Sequence, residues 1–108
     1  GTTSFDALFM GTPVVTRRGH WMGGRMSSAM LRALGHPEWI AETAADYARI
    51  VVDLTADERR LKQYKKTLRK QVLNSPLCDA KSLTVALEAA FHRMIRDYNN
   101  QVAAGRAV

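Results

Sequence analysis

The residues best placed to do chemistry stand together at the start of the chain, in Gly1, Thr2, Thr3, Ser4 and Asp6. Apolar Phe5, Leu8 and Phe9, followed by Gly11, read as a short helix over residues 4–10 with a Ser or Thr cap. The first amides of such a helix lack partners, and its dipole adds about half a positive charge there, so phosphate oxygens bind well. Thr2 and Thr3 add hydroxyl donors, Gly1 allows close backbone approach, and Asp6 can accept hydrogen bonds from ribose hydroxyls. Ser4 is a further hydroxyl of the same turn. The same residues also fit a plain capped helix start with Asp6 favoured by the dipole, and the residue types alone leave both readings open.

The elements that must position this turn follow from the periodicity. The stretch "TPVVT" reads as a brief buried strand, with Pro13 near its start, and "RRGHWMGG" reads as loop. Met26, Met30, Ala33 and Leu34 recur at helical spacing over residues 25–34, with Gly35 as a left-handed stop, and "HPEWIA" reads as a short turn or single helical turn. Tyr47, Ile50, Val51 and Leu54 mark a helix from about Ala44. Thr55 and Glu58 have capping-box spacing for the next helix, which turns Leu61, Tyr64, Leu68 and Val72 inward. Pro76 breaks it, and Asp79 caps a last helix whose core stripe is Leu83, Leu87, Ala90, Phe91, Met94 and Tyr98, ahead of a frayed tail over 99–108.

The fold class is therefore a mostly α piece of about five helices and one short strand, α/β by origin. A lone strand leaves its backbone groups unpaired. Helix, strand and helix after a Gly-Thr-Thr turn look like the late part of a nucleotide-binding sheet whose earlier strands are absent, so the chain is expected to be cut from a larger protein.

Composition narrows the classes. The chain has 108 residues, 46% hydrophobic and 24% charged, which suits one soluble domain rather than a disordered or fibrous chain. No apolar run approaches the ~20 residues needed to cross a bilayer and no signal peptide precedes the fold, so a cytoplasmic protein is expected. Cys78 is the only cysteine and there are three histidines, which excludes an internal disulfide and leaves no ligand set of zinc-site spacing. Cys78 is expected to be a small buried residue, and His20, His36 and His92 to serve packing or surface rather than general-base roles. Net charge is +6, and seven of the sixteen Lys and Arg lie between Arg59 and Lys70. Arg59, Lys62, Lys66, Arg69 and Lys70 spread over one face, the pattern of a solvated helix. A small basic helical module binding nucleic acid or an acidic protein is the competing reading, although stacking aromatics do not interleave with the charges.

Beyond these patterns, "GTTSFDALFMGTPVVT", "RMSSAMLRALGHPEWIAETAADY" and "SPLCDAKSLTVALEAAFHRM" resemble, in order and spacing, the C-terminal end of the catalytic region of the O-linked N-acetylglucosamine transferase family, particularly bacterial members with tetratricopeptide repeats. The resemblance implies a GT-B glycosyltransferase, in which two Rossmann-like halves hold UDP-N-acetylglucosamine and no metal or other cofactor is required. It implies inverting transfer to Ser or Thr hydroxyls of an acceptor protein. It places Thr2 and Thr3 at the UDP diphosphate and Asp6 at the ribose, with Gly1, Ser4 and Arg25 as secondary positions. Residues 1–98 would be the C-terminal portion of a nucleotide-sugar-binding domain, inactive alone.

Three positions depart from the family pattern. Gly1 stands where animal members carry His, and Arg18-Gly19-His20 replaces a segment that often has Pro before the glycine and an acidic residue after it. Arg25 matches a repeated arginine but also fits a loop-tethering role. The resemblance puts the uracil-binding segment, the other Rossmann half and the catalytic groups outside this chain. Trp21, Trp39 and Phe91 could mark uncovered apolar surface, and a homo-oligomer burying a strand edge or helix face is expected.

Overall fold

In the computed structural model, which describes residues 1–106, a helix forms wherever an apolar periodicity predicts one. The first, α1, spans Thr2–Phe9 and begins two residues ahead of the Ser4 start expected from the sequence. It stops where Gly11 takes a left-handed φ of 86°. A β-carbon there would stand 2.8 Å from the Lys65 carbonyl oxygen, so both dihedral and space require glycine.

The strand expected over residues 12–16 forms only at its last residue and runs one further, and it is not alone. β1 is Thr16–Arg17, and it pairs in parallel with β2, Ile40–Ala41, in the register Thr16 to Ile40 and Arg17 to Ala41. "HPEWIA" is expected to be a turn or a single helical turn. Its middle is a 3₁₀ turn, Pro37–Trp39, but its last two residues extend and give β1 the backbone partners a single strand lacks. Between the strands, a 3₁₀ turn at Met22–Arg25 leads into α2, Met26–Leu34, which Gly35 ends at φ 90° as anticipated.

Helix α3, Ala44–Ala56, is capped by Thr43, whose hydroxyl accepts from the Asp46 amide at 3.1 Å. α4, Glu58–Leu73, is not opened by a Thr55–Glu58 capping box. Asp57 caps it, accepting from the Arg60 amide at 3.0 Å. The reason is that α3 runs on past Thr55, whose hydroxyl donates to the Val51 carbonyl at 2.8 Å and is no longer available.

The chain divides into two compact units, residues 1–78 and the segment from Asp79 onward. The first has a core of Leu8, Leu31, Trp39, Ala41, Ile50, Leu54, Leu68 and Val72, with Leu61 and Tyr64 partly buried against it. Trp39 is thus core, not uncovered surface. His36 stacks on it at a centroid distance of 4.0 Å, with ring nitrogens 2.6 Å from a Glu38 carboxylate oxygen and 2.8 Å from the Gln71 amide oxygen, a packing role as expected. Two residues of the basic helix also fasten the fold. Lys65 Nζ donates to the Met10 carbonyl at 3.0 Å, and the Arg69 guanidinium lies 4.2 Å from the Phe9 ring centroid, so Arg69 is not simply solvated. Cys78, expected to be buried, is exposed. Its 3₁₀ turn, Pro76–Cys78, is held by the buried Ser75 hydroxyl, which bonds the Val72 carbonyl and the Leu77 amide, and not by the thiol.

The second unit is α5, Ala80–Ala103, capped by Asp79, which accepts from the Ser82 amide at 3.0 Å. Leu83, Leu87, Phe91, Met94 and Tyr98, expected as core, are exposed, because a single helix offers its own stripe no cover. Residues 99–103, expected to be frayed, continue the helix, and the last two residues of the expected tail lie outside those described. No helix among the described residues is long and apolar enough to cross a membrane.

Candidate functional site

At the start of α1 the backbone supplies the chemistry. Gly1 occupies the cap position and no side chain caps the helix, while the Phe5 amide donates to the Gly1 carbonyl at 3.1 Å. The amides of Thr2, Thr3 and Ser4 precede the first intrahelical donor and are left facing outward at the positive end of the dipole. Thr2, Thr3 and Asp6 are exposed, and Thr2 and Asp6, four residues apart, lie on one face of the helix. Such a turn can take an anion on amides and hydroxyls, and beside it a neutral hydroxyl on the Asp6 carboxylate.

Ser4 faces another way. Its hydroxyl is 2.8 Å from that of Ser27, a part-buried pair that joins α1 to the start of α2. Gly1 lies beside the end of the Met26 side chain, whose methyl would stand 2.8 Å from a β-carbon there. These contacts set the first turn of α1 against the first turn of α2. Arg25 stands immediately before α2, where its Nε donates to the Gly19 carbonyl at 3.0 Å, a loop tether of the kind the sequence left open.

What sequence reasoning passed over is the pocket this tether builds. Arg17, Arg18, Gly19, His20, Trp21, Arg25 and Glu42 line a cavity of about 390 Å³ at the carboxyl end of β1. The Gly19 amide donates to the Gly24 carbonyl at 2.9 Å, and a β-carbon on Gly19 would come within 3.1 Å of the Gly24 α-carbon, so glycine lets the loop close tightly on itself. The signal was present as three glycines flanking Trp21 after two arginines.

Helices that begin beside the ends of parallel strands are the arrangement of α/β folds, and this geometry places the chain in that class. Comparison with known proteins narrows the class. The family model for glycosyl transferase family 41 matches residues 1–87, and the chain belongs to that family. A probable UDP-N-acetylglucosamine–peptide N-acetylglucosaminyltransferase, SPINDLY of Hordeum vulgare, is 33% identical over 97 residues, covering 90% of this chain and 10% of its own length. The UDP-N-acetylglucosamine–peptide N-acetylglucosaminyltransferase of Caenorhabditis elegans is 31% identical over 99 residues, with 92% of this chain and 9% of that protein covered. A solved mutant of the O-GlcNAc transferase of Thermobaculum terrenum superposes with a TM-score of 0.78 at 40% identity, over 89% of this chain and 18% of that one. The chain thus spans about a tenth of the length of these curated relatives.

Proposed function

We propose that this chain supplies the diphosphate and ribose side of the donor site in a protein O-glycosyltransferase of GT-B architecture, which moves N-acetylglucosamine from UDP-N-acetylglucosamine to Ser or Thr hydroxyls. One observation carries the reading: in a family 41 chain, the first turn of α1 has no side-chain cap and leaves Thr2, Thr3 and Asp6 exposed around it. Negative charge grows on the leaving diphosphate as the sugar departs, and preorganised amides and hydroxyls stabilise that charge more than the ground state. In this reading Thr2 and Thr3 hold the diphosphate, and Asp6 fixes the ribose and hence the direction of the leaving group. Gly1 and Arg25 act around the site by packing and by tethering the neighbouring loop.

The reaction needs no metal in this scheme, because the helix terminus itself supplies positive potential. A cytoplasmic, repeat-bearing parent contributes the catalytic base and the acceptor contacts, and the 108-residue chain alone is inactive. Kinship to transferases of peptides supports the substrate class.

Titrating UDP into the chain and following amide resonances tests this. Shifts should centre on Thr2, Thr3 and Asp6, persist in the presence of a chelator, and weaken about tenfold in a Thr2→Ala, Thr3→Ala double variant, the scale of one or two hydrogen bonds to a charged group. Removing the ribose 2′- and 3′-hydroxyls should abolish the effect of Asp6→Asn. Absence of shifts in this turn, with saturation elsewhere, would overturn the assignment.

A further inference from the structure

We propose that the loop from Arg18 to Arg25 carries an acceptor subsite that receives an acidic side chain of the polypeptide substrate, an inference that rests on the donor-site reading above. The cavity is cationic beyond what its own carboxylate offsets. Arg18 Nε lies 3.5 Å from a Glu42 carboxylate oxygen, while Arg17 makes no ion pair among the described residues. Arg25 uses only Nε on the Gly19 carbonyl, and its terminal nitrogens form no hydrogen bond among the described residues. Two guanidinium groups with free donors match the fork geometry of a carboxylate.

The second component is Trp21. It is 74% exposed and its ring lies over Gly23, where a β-carbon would fall 2.2 Å from indole Cζ3. The glycine clears the room that the ring occupies. An aromatic plate beside arginines is a pairing enriched at the energetic centres of protein interfaces. The occupant is a polypeptide rather than the nucleotide because no residue of α1 lines the cavity. The Ser4–Ser27 pair nevertheless holds the donor turn against α2, and Arg25 precedes α2 directly, so a peptide presenting its hydroxyl at the sugar would lie along this loop.

The test is an amide and indole titration of the 108-residue chain with a short serine peptide carrying glutamate, its glutamine counterpart, and UDP. The glutamate peptide should move the Trp21 indole and Gly19 signals, and the glutamine peptide should bind about tenfold more weakly, the worth of one charge-assisted hydrogen bond. Arg17→Gln should erase that preference. Gly23→Ala, which keeps every charge, should displace the indole and weaken both peptides alike. UDP should leave Trp21 unmoved. Equal binding of the two peptides, no peptide shift at Trp21, an unchanged preference in Arg17→Gln, or displacement of the glutamate peptide by UDP would each overturn the subsite. Failure of the donor reading is read separately, from the Thr2, Thr3 and Asp6 signals under UDP alone.

Discussion

Helices α4 and α5 carry the same kind of apolar stripe and meet opposite fates. In α4, Leu68 and Val72 are fully buried and Leu61 and Tyr64 half-buried, whereas α5 has no buried residue and Phe91 and Met94 stand open at 52% and 63% exposure. Periodicity declares which face of a helix wants cover. It does not say whether the same stretch of chain provides the cover.

The sharpest way to break this comparison is a matched pair of truncations. Leu68→Ala should cost about 2–5 kcal/mol in denaturant unfolding followed by Trp39 fluorescence, because it empties a site with 0% exposure. Phe91→Ser should leave that same transition within about 0.5 kcal/mol, as a surface change does. A large effect of Phe91→Ser would show that α5 is part of the cooperative unit after all.

A second pair separates dihedral strain from crowding. Gly11 and Gly35 both have positive φ, 86° and 90°, but a β-carbon on Gly11 strikes the Lys65 backbone whereas one on Gly35 meets nothing within 4 Å. Gly35→Ala should cost only the left-handed penalty, about 1 kcal/mol, and Gly11→Ala about 3 kcal/mol by chemical denaturation of each variant. Equal costs would remove crowding from the account of Gly11.

The smallest effect concerns pH. The Ser82 hydroxyl, and then its amide, donate to the Asp79 carboxylate and hold its pKa below the ordinary 3.8. The folded value is depressed, so the cap stabilises α5 above 3.8 and is lost as pH falls through the lowered value. Helical shifts at Ser82 should therefore fade in acid while those at Leu68 hold, and Asp79→Ala should remove the pH dependence.

Much of this was legible residue by residue. Gly35, Asp79 and the α4 stripe act through local rules, and the structure follows them, while the α3 stripe buries Ile50 and Leu54 but leaves Tyr47 exposed. Thr2, Thr3 and Asp6 were nameable because a helix start is a local object, and the structure leaves them exposed there. What escaped depended on remote partners. Ile40 and Ala41 become a strand only because Thr16 and Arg17 lie alongside, and two residues are too few to show a period of two. The Thr55–Glu58 spacing was valid but lost to Asp57, since the end of α3 decided which hydroxyl was free. The cationic pocket joins Arg17 to Glu42 across a crossover, a proximity that spacing along the chain does not encode.

That crossover also fixes when the pocket comes into being. Its walls are drawn from the residues entering the passage between the paired strands and from Glu42 leaving it, with the Arg18 amide bonded to the Ala41 carbonyl at 2.8 Å as the clasp. Six of the seven lining residues fall between Arg17 and Arg25 and only Glu42 arrives from beyond the passage, so the last wall of the cavity is set in place only when the two strands pair.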